Sequence, residues 1–318
     1  MDVSIPEKMS AAVIDRFGGP EVLHLDALPV PVPERNEVLI RVEAAGIGVW
    51  DPAVRTGDLQ TKEPEFPEVI GNDGAGRVVA VGESITRFRP GDRVYAFSME
   101  GGFYAEFVAV KEDNVAPMPR GMDPLEAGAL GADGITALRG LEDMLRIKPR
   151  ETVAIFGASG GIGHLAVQLA KRKHARVIAV ASGPDGVELC RRLGADLTID
   201  GRSDDAAAAI ARFAPGGVDA ALVLAGGFDQ ALGSLKQGGR VTYPNGVEPA
   251  PMPPAGVAVR GYDGTPSRDA FERLNQLIEP GPFHVELGRV YKLAQAGEAH
   301  RHIEEHHLGK LAFRVSAS

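Results

Sequence analysis

Residues 151–182 read ETVAIFGASGGIGHLAVQLAKRKHARVIAVAS: an apolar run, a glycine-rich turn, a helix-period segment and a second apolar run. The first run, 152–156, is short and rich in β-branched residues, which is typical of a strand buried on both faces. Leucines and alanines then recur four residues apart, so the next segment predicts a helix with one apolar face. The second run, 176–181, predicts another strand. This order indicates a strand–helix–strand unit.

The turn between this strand and this helix contains a cluster of glycines, namely Gly157, Gly160, Gly161 and Gly163. Without a Cβ atom the backbone adopts positive φ and lets a phosphate approach the N–H groups at the helix N-terminus, where the helix dipole favours an anion. Glycines in this context favour a dinucleotide-binding site. The predicted cofactor contacts are Ser159, Gly160, Gly161 and Ile162. The alternative is a tight strand–helix turn in another kind of α/β protein.

Length, composition and charge limit the class of protein. The chain has 318 residues, enough for two domains, and its 44% hydrophobic and 24% charged residues are typical of a globular protein. The formal net charge of −9, without a basic cluster, argues against a nucleic acid or an anionic membrane as a partner. We find neither a secretion leader nor a long apolar run in the sequence and expect a cytoplasmic protein. The one cysteine, Cys190, excludes an internal disulfide.

The sequence pattern changes near residue 124. Before it, short apolar or alternating runs are separated by Gly, Pro and Asp, which predicts a β-rich, partly open barrel. After it, helix-like and strand-like segments alternate, as in a doubly wound parallel sheet. We therefore expect a first part of the β-rich domain at 1–123, a parallel-sheet domain at 124–264 and a return to the β-rich domain at 265–318. Two of the predicted helices cover 125–141 and 298–307.

Short motifs spread over nearly the whole chain occur in an order typical of one family. They are GGPE at 18–21, IGNDGAG at 70–76, PGDRV at 90–94, GFYAEF at 102–107, GASGGIG at 157–163, AVQLAK at 166–171, LGAD at 193–196, GGR at 238–240 and GK at 309–310. With them the chain resembles the zinc-independent quinone oxidoreductases of the medium-chain dehydrogenase/reductase superfamily. The resemblance implies an α/β fold with a β-rich GroES-like catalytic domain, a Rossmann cofactor domain and an active-site cleft between them.

Zinc enzymes of this superfamily hold the ion with thiolate, imidazole and carboxylate ligands. The resemblance puts Gly48 where they carry a cysteine and Asn72 where they carry a histidine. The cysteine cluster of a structural zinc is missing as well. His302 and His306 have a metal-like spacing on a predicted helix, but without a third ligand from another element a solvated helix face is the favoured interpretation. We predict an enzyme without a metal.

The end of the second strand predicts the cofactor. NAD sites usually place Asp or Glu there, about 20 residues after the glycines, to bind the ribose 2′-hydroxyl. Here the position falls on Ser182, whose small hydroxyl admits a 2′-phosphate, so we predict NADPH. The resemblance places Arg202 at a basic position of the family; Arg202 either supplies charge for the phosphate or is an exposed loop arginine. A lysine and a tyrosine of the family are replaced nearby by Gly186 and Gly201.

The resemblance also implies the remaining site residues. Loop 44–52 matches the family loop that faces the nicotinamide; in it Trp50 is either a flat wall for a ring substrate or a core aromatic. For Asp51, which matches a family position in the same loop, a hydrogen-bonding role is favoured over acid catalysis. Thr136 matches the family threonine near the nicotinamide, and its alternative is a helix hydroxyl bonded to its own backbone. Lys310 belongs to a motif of the family and is a further predicted cofactor contact. Ala225, Gly226 and Asn245 are predicted contacts because they follow predicted strands, where ligands bind in such sheets.

These features favour an NADPH-dependent oxidoreductase that transfers hydride to a quinone, because a conjugated acceptor spreads the resulting charge over its own π-system. The near alternative is reduction of the C=C bond of α,β-unsaturated carbonyls. A further alternative is a protein that binds NADPH with little catalysis, since an asparagine of the family near Gly48 and a tyrosine of the family near Ala53 are both missing. Loops 98–102 and 249–254 are expected to line the pocket, and we expect a homodimer.

Overall fold

The computed structural model describes residues 5–60, 63–247 and 257–315. Strands and helices follow one another in the order β1 Lys8–Ile14, β2 His24–Pro29, β3 Glu37–Ile47, α1 Asp51–Thr56, β4 Glu68–Val69, β5 Asp73–Val81, β6 Arg93–Phe97, β7 Phe107–Lys111, β8 Val115–Pro117, α2 Pro124–Gly128, α3 Gly131–Leu138, β9 Thr152–Phe156, α4 Gly161–Arg172, β10 Arg176–Ala181, α5 Gly183–Arg192, β11 Leu197–Asp200, α6 Ala206–Phe213, β12 Val218–Val223, α7 Phe228–Gly233, β13 Leu235–Pro244, β14 Ala258–Tyr262, α8 Arg268–Ile278, β15 Leu287–Lys292, α9 Ala296–His302 and β16 Lys310–Arg314. Loop 249–254, expected at the pocket, lies outside the described residues. None of the described helices is long and apolar enough to cross a membrane.

The chain divides into two compact units. The first unit comprises Met1–Ala132, Pro266–Asn275 and Leu287–Ser318, and the second unit comprises Asp133–Thr265 and Gln276–Glu286. The domain boundaries that we expect from the sequence, at 1–123, 124–264 and 265–318, stay a prediction.

The first unit is built on two mainly antiparallel sheets. The smaller sheet has the order β2-β1-β4, and the larger has the order β15-β16-β3-β5-β6-β8, with β7 also paired to β3. Alternate residues of β3, namely Val38, Ile40 and Val42, are buried in the core of this unit, as expected for a strand with one face inward. β16 pairs antiparallel with β3, Leu311 lying opposite Ile47. The last described strand therefore belongs to the first unit.

The second unit contains a parallel sheet of order β11-β10-β9-β12-β13-β14. Counted along the chain this order is 3-2-1-4-5-6, the doubly wound arrangement, and it confirms the predicted fold class. Every residue of the central strand β9 is buried, which explains its continuous apolar run. The strand order reverses between β9 and β12, so a crevice opens outside their carboxyl ends. The sequence analysis did not predict β14, which contains an arginine and a glycine and lies at the sheet edge.

Two predicted helices have different bounds. The helix expected at 125–141 is broken into α2, α3 and a π-helical turn, Arg139–Met144. The break lies where two glycines pack on strands: a Cβ at Gly128 would lie 2.8 Å from the carbonyl oxygen of Ala44, and one at Gly131 would lie 2.9 Å from that of Ala96. The helix expected at 298–307 spans Ala296–His302 instead, and a turn follows at residues 303–304.

Candidate active site

The glycine turn after β9 is a close contact between strand and helix. Gly157 has a φ of +76°, and its N–H donates to the carbonyl oxygen of Val180 at 3.0 Å. A Cβ at Gly163 would overlap the carbonyl oxygen of Gly157 and would lie 2.7 Å from the Cα of Ala158. Glycine is therefore required at Gly163 for α4 to begin directly against the turn.

The start of α4 has the features of an anion site. Gly160 precedes the helix with extended backbone, and within this described stretch no side chain caps the helix and no acidic residue occupies its first turn. The first N–H groups of a helix have no partner inside the helix, and the dipole makes this end positive. Gly161 and Ile162, two of the predicted cofactor contacts, lie in this first turn. The turn can hold the pyrophosphate of a dinucleotide.

His164 fixes the first turn of α4 in a way that the sequence did not predict. Its Nδ1 lies 2.9 Å from the carbonyl oxygen of Gly160, and the N–H of Glu286 donates to its Nε2 at 3.1 Å. Because Nε2 accepts a hydrogen bond, the ring hydrogen is on Nδ1. Burial lowers the pKa of His164 to about 4, so the ring is neutral beside the positive end of the helix.

Several predicted cofactor contacts lie together at the crevice between β9 and β12. A Cβ at Gly157 would lie 3.1 Å from the Cβ of Ala225, so the ends of these two strands meet. Ala225 and Gly226 are exposed at this edge, whereas Ser159 is buried. The structure brings the glycine turn and Ala225 together, as a dinucleotide site requires.

The end of β10 adjoins a carboxylate that the sequence analysis missed. The Oδ1 of Asp200 accepts the N–H of Gly183 and the N–H of Arg202, each at 3.0 Å. These two N–H groups lower the pKa of Asp200 and keep it ionised. Ser182 precedes α5 at this position, and the Arg202 side chain is exposed beside the carboxylate. A negative charge, on Asp200, and a positive charge, on Arg202, therefore lie near the ends of β10 and β11. An acidic residue at the end of the third strand was the signal available in the sequence.

Two other predicted contacts are held by β14 and the residues after it. The carbonyl oxygen of Thr136 accepts the hydroxyl of Tyr262 at 2.9 Å, and the Thr136 hydroxyl packs against Gly264. The amide nitrogen of Asn245 donates to Asp263 at 2.9 Å. In the sheet, β12 lies between β13, which Asn245 follows, and β9, which precedes the glycine turn. The roles of Thr136 and Asn245 stay predictions.

In the first unit, residues 48–51 form a turn that is closed by two hydrogen bonds. The N–H of Asp51 donates to the carbonyl oxygen of Gly48 at 3.1 Å, and the N–H of Gly48 donates to the Asp51 carboxylate at 2.7 Å. Val49 and Trp50 project from this turn, with 59% and 36% of their surface exposed. Trp50 is therefore not a core aromatic, and its role as a flat wall for a ring substrate stays a prediction.

Beneath this turn lies a buried hydrogen-bonded cluster of Asp51, Tyr104, His300 and Arg55. The Tyr104 hydroxyl donates to Asp51 at 2.6 Å and lies 3.2 Å from Nε2 of His300. Arg55 donates to Nδ1 of His300 at 2.8 Å and to the carbonyl oxygen of Gly18 at 3.0 Å. Burial raises the pKa of Asp51 to about 6 and lowers that of His300 to about 3. The sequence analysis identified only Asp51 of these four.

A second buried group of charges occupies the same unit. Lys310 donates to Asp73 at 2.9 Å, and the N–H of Ala132 donates to the same carboxylate oxygen at 2.9 Å. The ammonium of Lys310 is buried in this pair, and its predicted contact with the cofactor stays a prediction. A Cβ at Gly46 would overlap Asp73, so glycine is required beside the pair.

The donor atoms at the zinc positions of the superfamily do not fit a zinc ion. Gly48 has no side chain, and the amide nitrogen of Asn72 donates to the carbonyl oxygen of Ser98 at 2.9 Å. His302 hydrogen-bonds through Nδ1 to the hydroxyl of Tyr291 at 2.6 Å. Within residues 5–60, 63–247 and 257–315, no group of three His, Cys, Asp or Glu side chains is arranged to hold a metal. Zinc prefers thiolate and imidazole ligands, which this place lacks.

Comparison with known proteins identifies the family. Residues 34–120 match the alcohol dehydrogenase GroES-like domain, and residues 161–260 match the zinc-binding dehydrogenase family. The quinone oxidoreductase of Sus scrofa is 32% identical over 311 residues, which cover 93% of this chain and 94% of that protein. The chain belongs to the quinone oxidoreductase type of the medium-chain dehydrogenase/reductases. This assignment confirms the resemblance drawn from the short motifs.

Other members of the superfamily are also similar. The chloroplastic NADPH-dependent alkenal/one oxidoreductase of Arabidopsis thaliana is 31% identical and covers 96% of this chain and 79% of that protein. Among solved structures, an NAD-dependent alcohol dehydrogenase superposes with a TM-score of 0.90 at 30% identity, covering 97% and 100% of the two chains. A native mycobacterial structure complexed with NADPH superposes with a TM-score of 0.84 at 29% identity, covering 96% and 100%. The chain is an oxidoreductase of this superfamily that binds a nicotinamide cofactor and acts on a small molecule.

Proposed function

We propose that this quinone oxidoreductase-type enzyme uses NADPH to reduce quinones, with α,β-unsaturated carbonyls as the alternative acceptors. The observation that carries the proposal is the lack of a zinc donor set at Gly48 and Asn72, the latter bound to Ser98. An alcohol or simple ketone needs a strong electrophile for its localised oxygen charge, whereas a conjugated acceptor spreads the charge over its π-system. The donor set therefore favours conjugated acceptors and metal-independent turnover.

The roles that we propose for the cofactor site rest on the glycine turn and the start of α4 in the second unit. Bound NADPH would supply the hydride. Ser159, Gly160, Gly161 and Ile162 would hold its pyrophosphate at the positive end of α4, and Ala225 and Gly226 would line the adjoining crevice. Thr136 is proposed near the nicotinamide from the resemblance, together with Asn245 and Lys310 as further contacts.

The preference for NADPH over NADH depends on the ends of β10 and β11. Ser182 and the exposed guanidinium of Arg202 support binding of a 2′-phosphate. The ionised carboxylate of Asp200 opposes it, but its Oδ1 is already bound by two N–H groups. We propose that Arg202 outweighs Asp200, because a guanidinium donates charge-assisted hydrogen bonds to a phosphate while Oδ1 of the carboxylate is already bound by two backbone N–H groups.

For the acceptor, Trp50 offers an exposed flat ring on a turn closed by two hydrogen bonds. A Trp50→Ala variant should lose activity on ring acceptors while it keeps its affinity for NADPH. The matched control is Val49→Ala, which removes the neighbouring exposed apolar side chain of the same turn. Equal effects of the two substitutions would contradict the wall role of Trp50.

An acceptor panel tests the proposed activity itself. Purified protein with NADPH should reduce simple quinones, and turnover of enones alone would favour the alternative. Tight binding of NADPH without reduction of either class would indicate an NADPH-binding protein with little catalysis. Cytoplasmic location and a homodimer stay predictions, and sedimentation equilibrium measures the second.

A further inference from the structure

The four-residue cluster beneath the Trp50 turn has a defined direction of hydrogen bonding. A guanidinium only donates, so Arg55 makes Nδ1 of His300 an acceptor and the ring hydrogen must be on Nε2. The hydroxyl of Tyr104 then accepts from Nε2–H and donates its own hydrogen to Asp51. The chain of bonds therefore runs from the cation of Arg55 through two neutral groups to the carboxyl of Asp51.

This chain is enclosed on all sides. Arg55, His300 and Asp51 are 5%, 2% and 2% exposed, and Tyr104 has no exposed surface. Polar groups in such surroundings are stable only when each is hydrogen-bonded, and a partly satisfied network is costly. Removing one member leaves each of its neighbours with one hydrogen bond fewer, so each member affects the position of the next.

Charged side chains lie near both ends of the chain of bonds. Burial lowers the pKa of Arg55, and the charges of Glu21 and Glu304 raise it against this effect. At Asp51, where burial raises the pKa, Lys310 lowers it and Asp73 raises it further. Burial and Asp51 raise the pKa of Tyr104, and the charge of Asp73 also contributes to this rise. The cationic end of the chain thus has acidic neighbours, and the carboxyl end has one neighbour of each sign.

The chain joins the turn to distant segments of the first unit. Tyr104 precedes β7, and His300 lies on α9, at sequence distances of 53 and 245 residues from their partners Asp51 and Arg55. The same Oδ2 atom of Asp51 that accepts the Tyr104 hydroxyl also accepts the N–H of Gly48. A shift of Tyr104 is therefore transmitted directly to the bond that closes the turn.

We propose that Tyr104 and His300 are positioning residues that hold Asp51 on the N–H of Gly48 and so fix the turn that presents Trp50 to the acceptor. The link to the acceptor rests on the proposed function. The link to the turn does not, because it follows from contacts within the first unit. Neither residue touches the acceptor or the cofactor in this role.

The test compares Tyr104→Phe with Tyr95→Phe. Tyr95 is a matched control, since it has no exposed surface and its hydroxyl also donates one hydrogen bond, to Asn275 at 2.8 Å. Trp50 is the one tryptophan of the chain, so its fluorescence reports on the turn. Tyr104→Phe should increase acrylamide quenching of Trp50. It should also raise KM for a quinone about tenfold, because a less ordered turn must be fixed again when the acceptor binds, with NADPH affinity unchanged. Tyr95→Phe should change neither quantity.

A second measurement needs no variant. Nitrogen NMR of the histidine rings in the full chain should show His300 neutral, with its hydrogen on Nε2, at neutral pH. A hydrogen on Nδ1, or equal Trp50 quenching in the two tyrosine variants, would overturn the inference. If the wild-type protein reduces no acceptor, the proposed function fails, and the quenching and NMR results still decide whether the chain of bonds holds the turn.

Discussion

The ammonium of Lys310 lies 2.9 Å from the carboxylate of Asp73, and each side chain is only 2% exposed. Because β16 carries Lys310 and β5 carries Asp73, the pair joins two strands of the larger sheet of the first unit. A buried ion pair contributes little net stability, but removal of one partner leaves an uncompensated charge. We therefore expect a single substitution in this pair to destabilise the protein far more than replacement of both partners by apolar residues.

Lys310→Met should lower the free energy of unfolding by about 3–5 kcal/mol, because the Asp73 carboxylate would stay buried without its cation. The control is Lys111→Met, which breaks an exposed pair with Glu100 and should cost less than about 1 kcal/mol. Urea denaturation measures both. The Lys310→Met/Asp73→Leu double variant should recover part of the lost stability. If Lys310→Met and Lys111→Met lower the free energy of unfolding equally, the buried pair is not coupled as described.

The two glycines at the start of α4 should respond differently to alanine. Gly163→Ala forces a Cβ onto the carbonyl oxygen of Gly157 and should destabilise the protein by about 1–3 kcal/mol. At Gly160 the nearest atom would be that same oxygen at 3.5 Å, so Gly160→Ala should keep the stability but weaken NADPH binding by blocking approach to the backbone. Thermal unfolding and fluorescence titration separate the two effects. Loss of stability at Gly160 alone would contradict this account of the turn.

Asp51→Asn should change the pH dependence of stability. Burial raises the pKa of Asp51 from 3.8 to about 6, so the folded state binds this proton more tightly than the unfolded state. The contribution of Asp51 therefore falls as pH rises from about 4 to about 6, by about 3 kcal/mol. Asparagine can accept the same two hydrogen bonds without the charge. The stability of Asp51→Asn relative to wild type should rise across this range, and a constant difference in urea denaturation would contradict it.

The charges at the ends of β10 and β11 should set the cofactor preference. Arg202→Gln should weaken NADPH binding about tenfold and leave NADH binding nearly unchanged, because only NADPH carries the 2′-phosphate. Asp200→Asn should strengthen NADPH binding, since Oδ1 can still accept the two N–H groups while the negative charge is removed. Titrations with both cofactors measure the effects. Tighter binding of NADH than of NADPH by the wild-type protein would disprove the proposed preference.

Local patterns in the sequence predicted the order of strands around residues 151–182 and the glycine turn. These features are local, since a buried strand, a tight turn and an amphipathic helix each leave a periodic pattern. The break between α2 and α3 was not predictable in this way, because it depends on where Gly128 and Gly131 meet distant strands.

The polar groups of the candidate site were harder to predict for the same reason. Arg55 and His300 are 245 residues apart in the sequence, and Asp73 and Lys310 are 237 residues apart. A periodic pattern carries no information on which distant polar side chains meet. Lys310 was identified by family resemblance without its partner, and Tyr104 and His300 were not identified at all.

Turnover of purified enzyme after treatment with a strong chelator distinguishes metal-independent reduction of a conjugated acceptor from zinc-dependent reduction of a ketone. The consumption of NADPH is followed by its near-ultraviolet absorbance with a simple quinone and, separately, with an aliphatic ketone of similar size. We expect rapid consumption of NADPH with the quinone, at the same rate before and after chelation, and almost none with the ketone. Turnover of the ketone that is lost on chelation and restored by zinc, without reduction of quinones or enones, would contradict it.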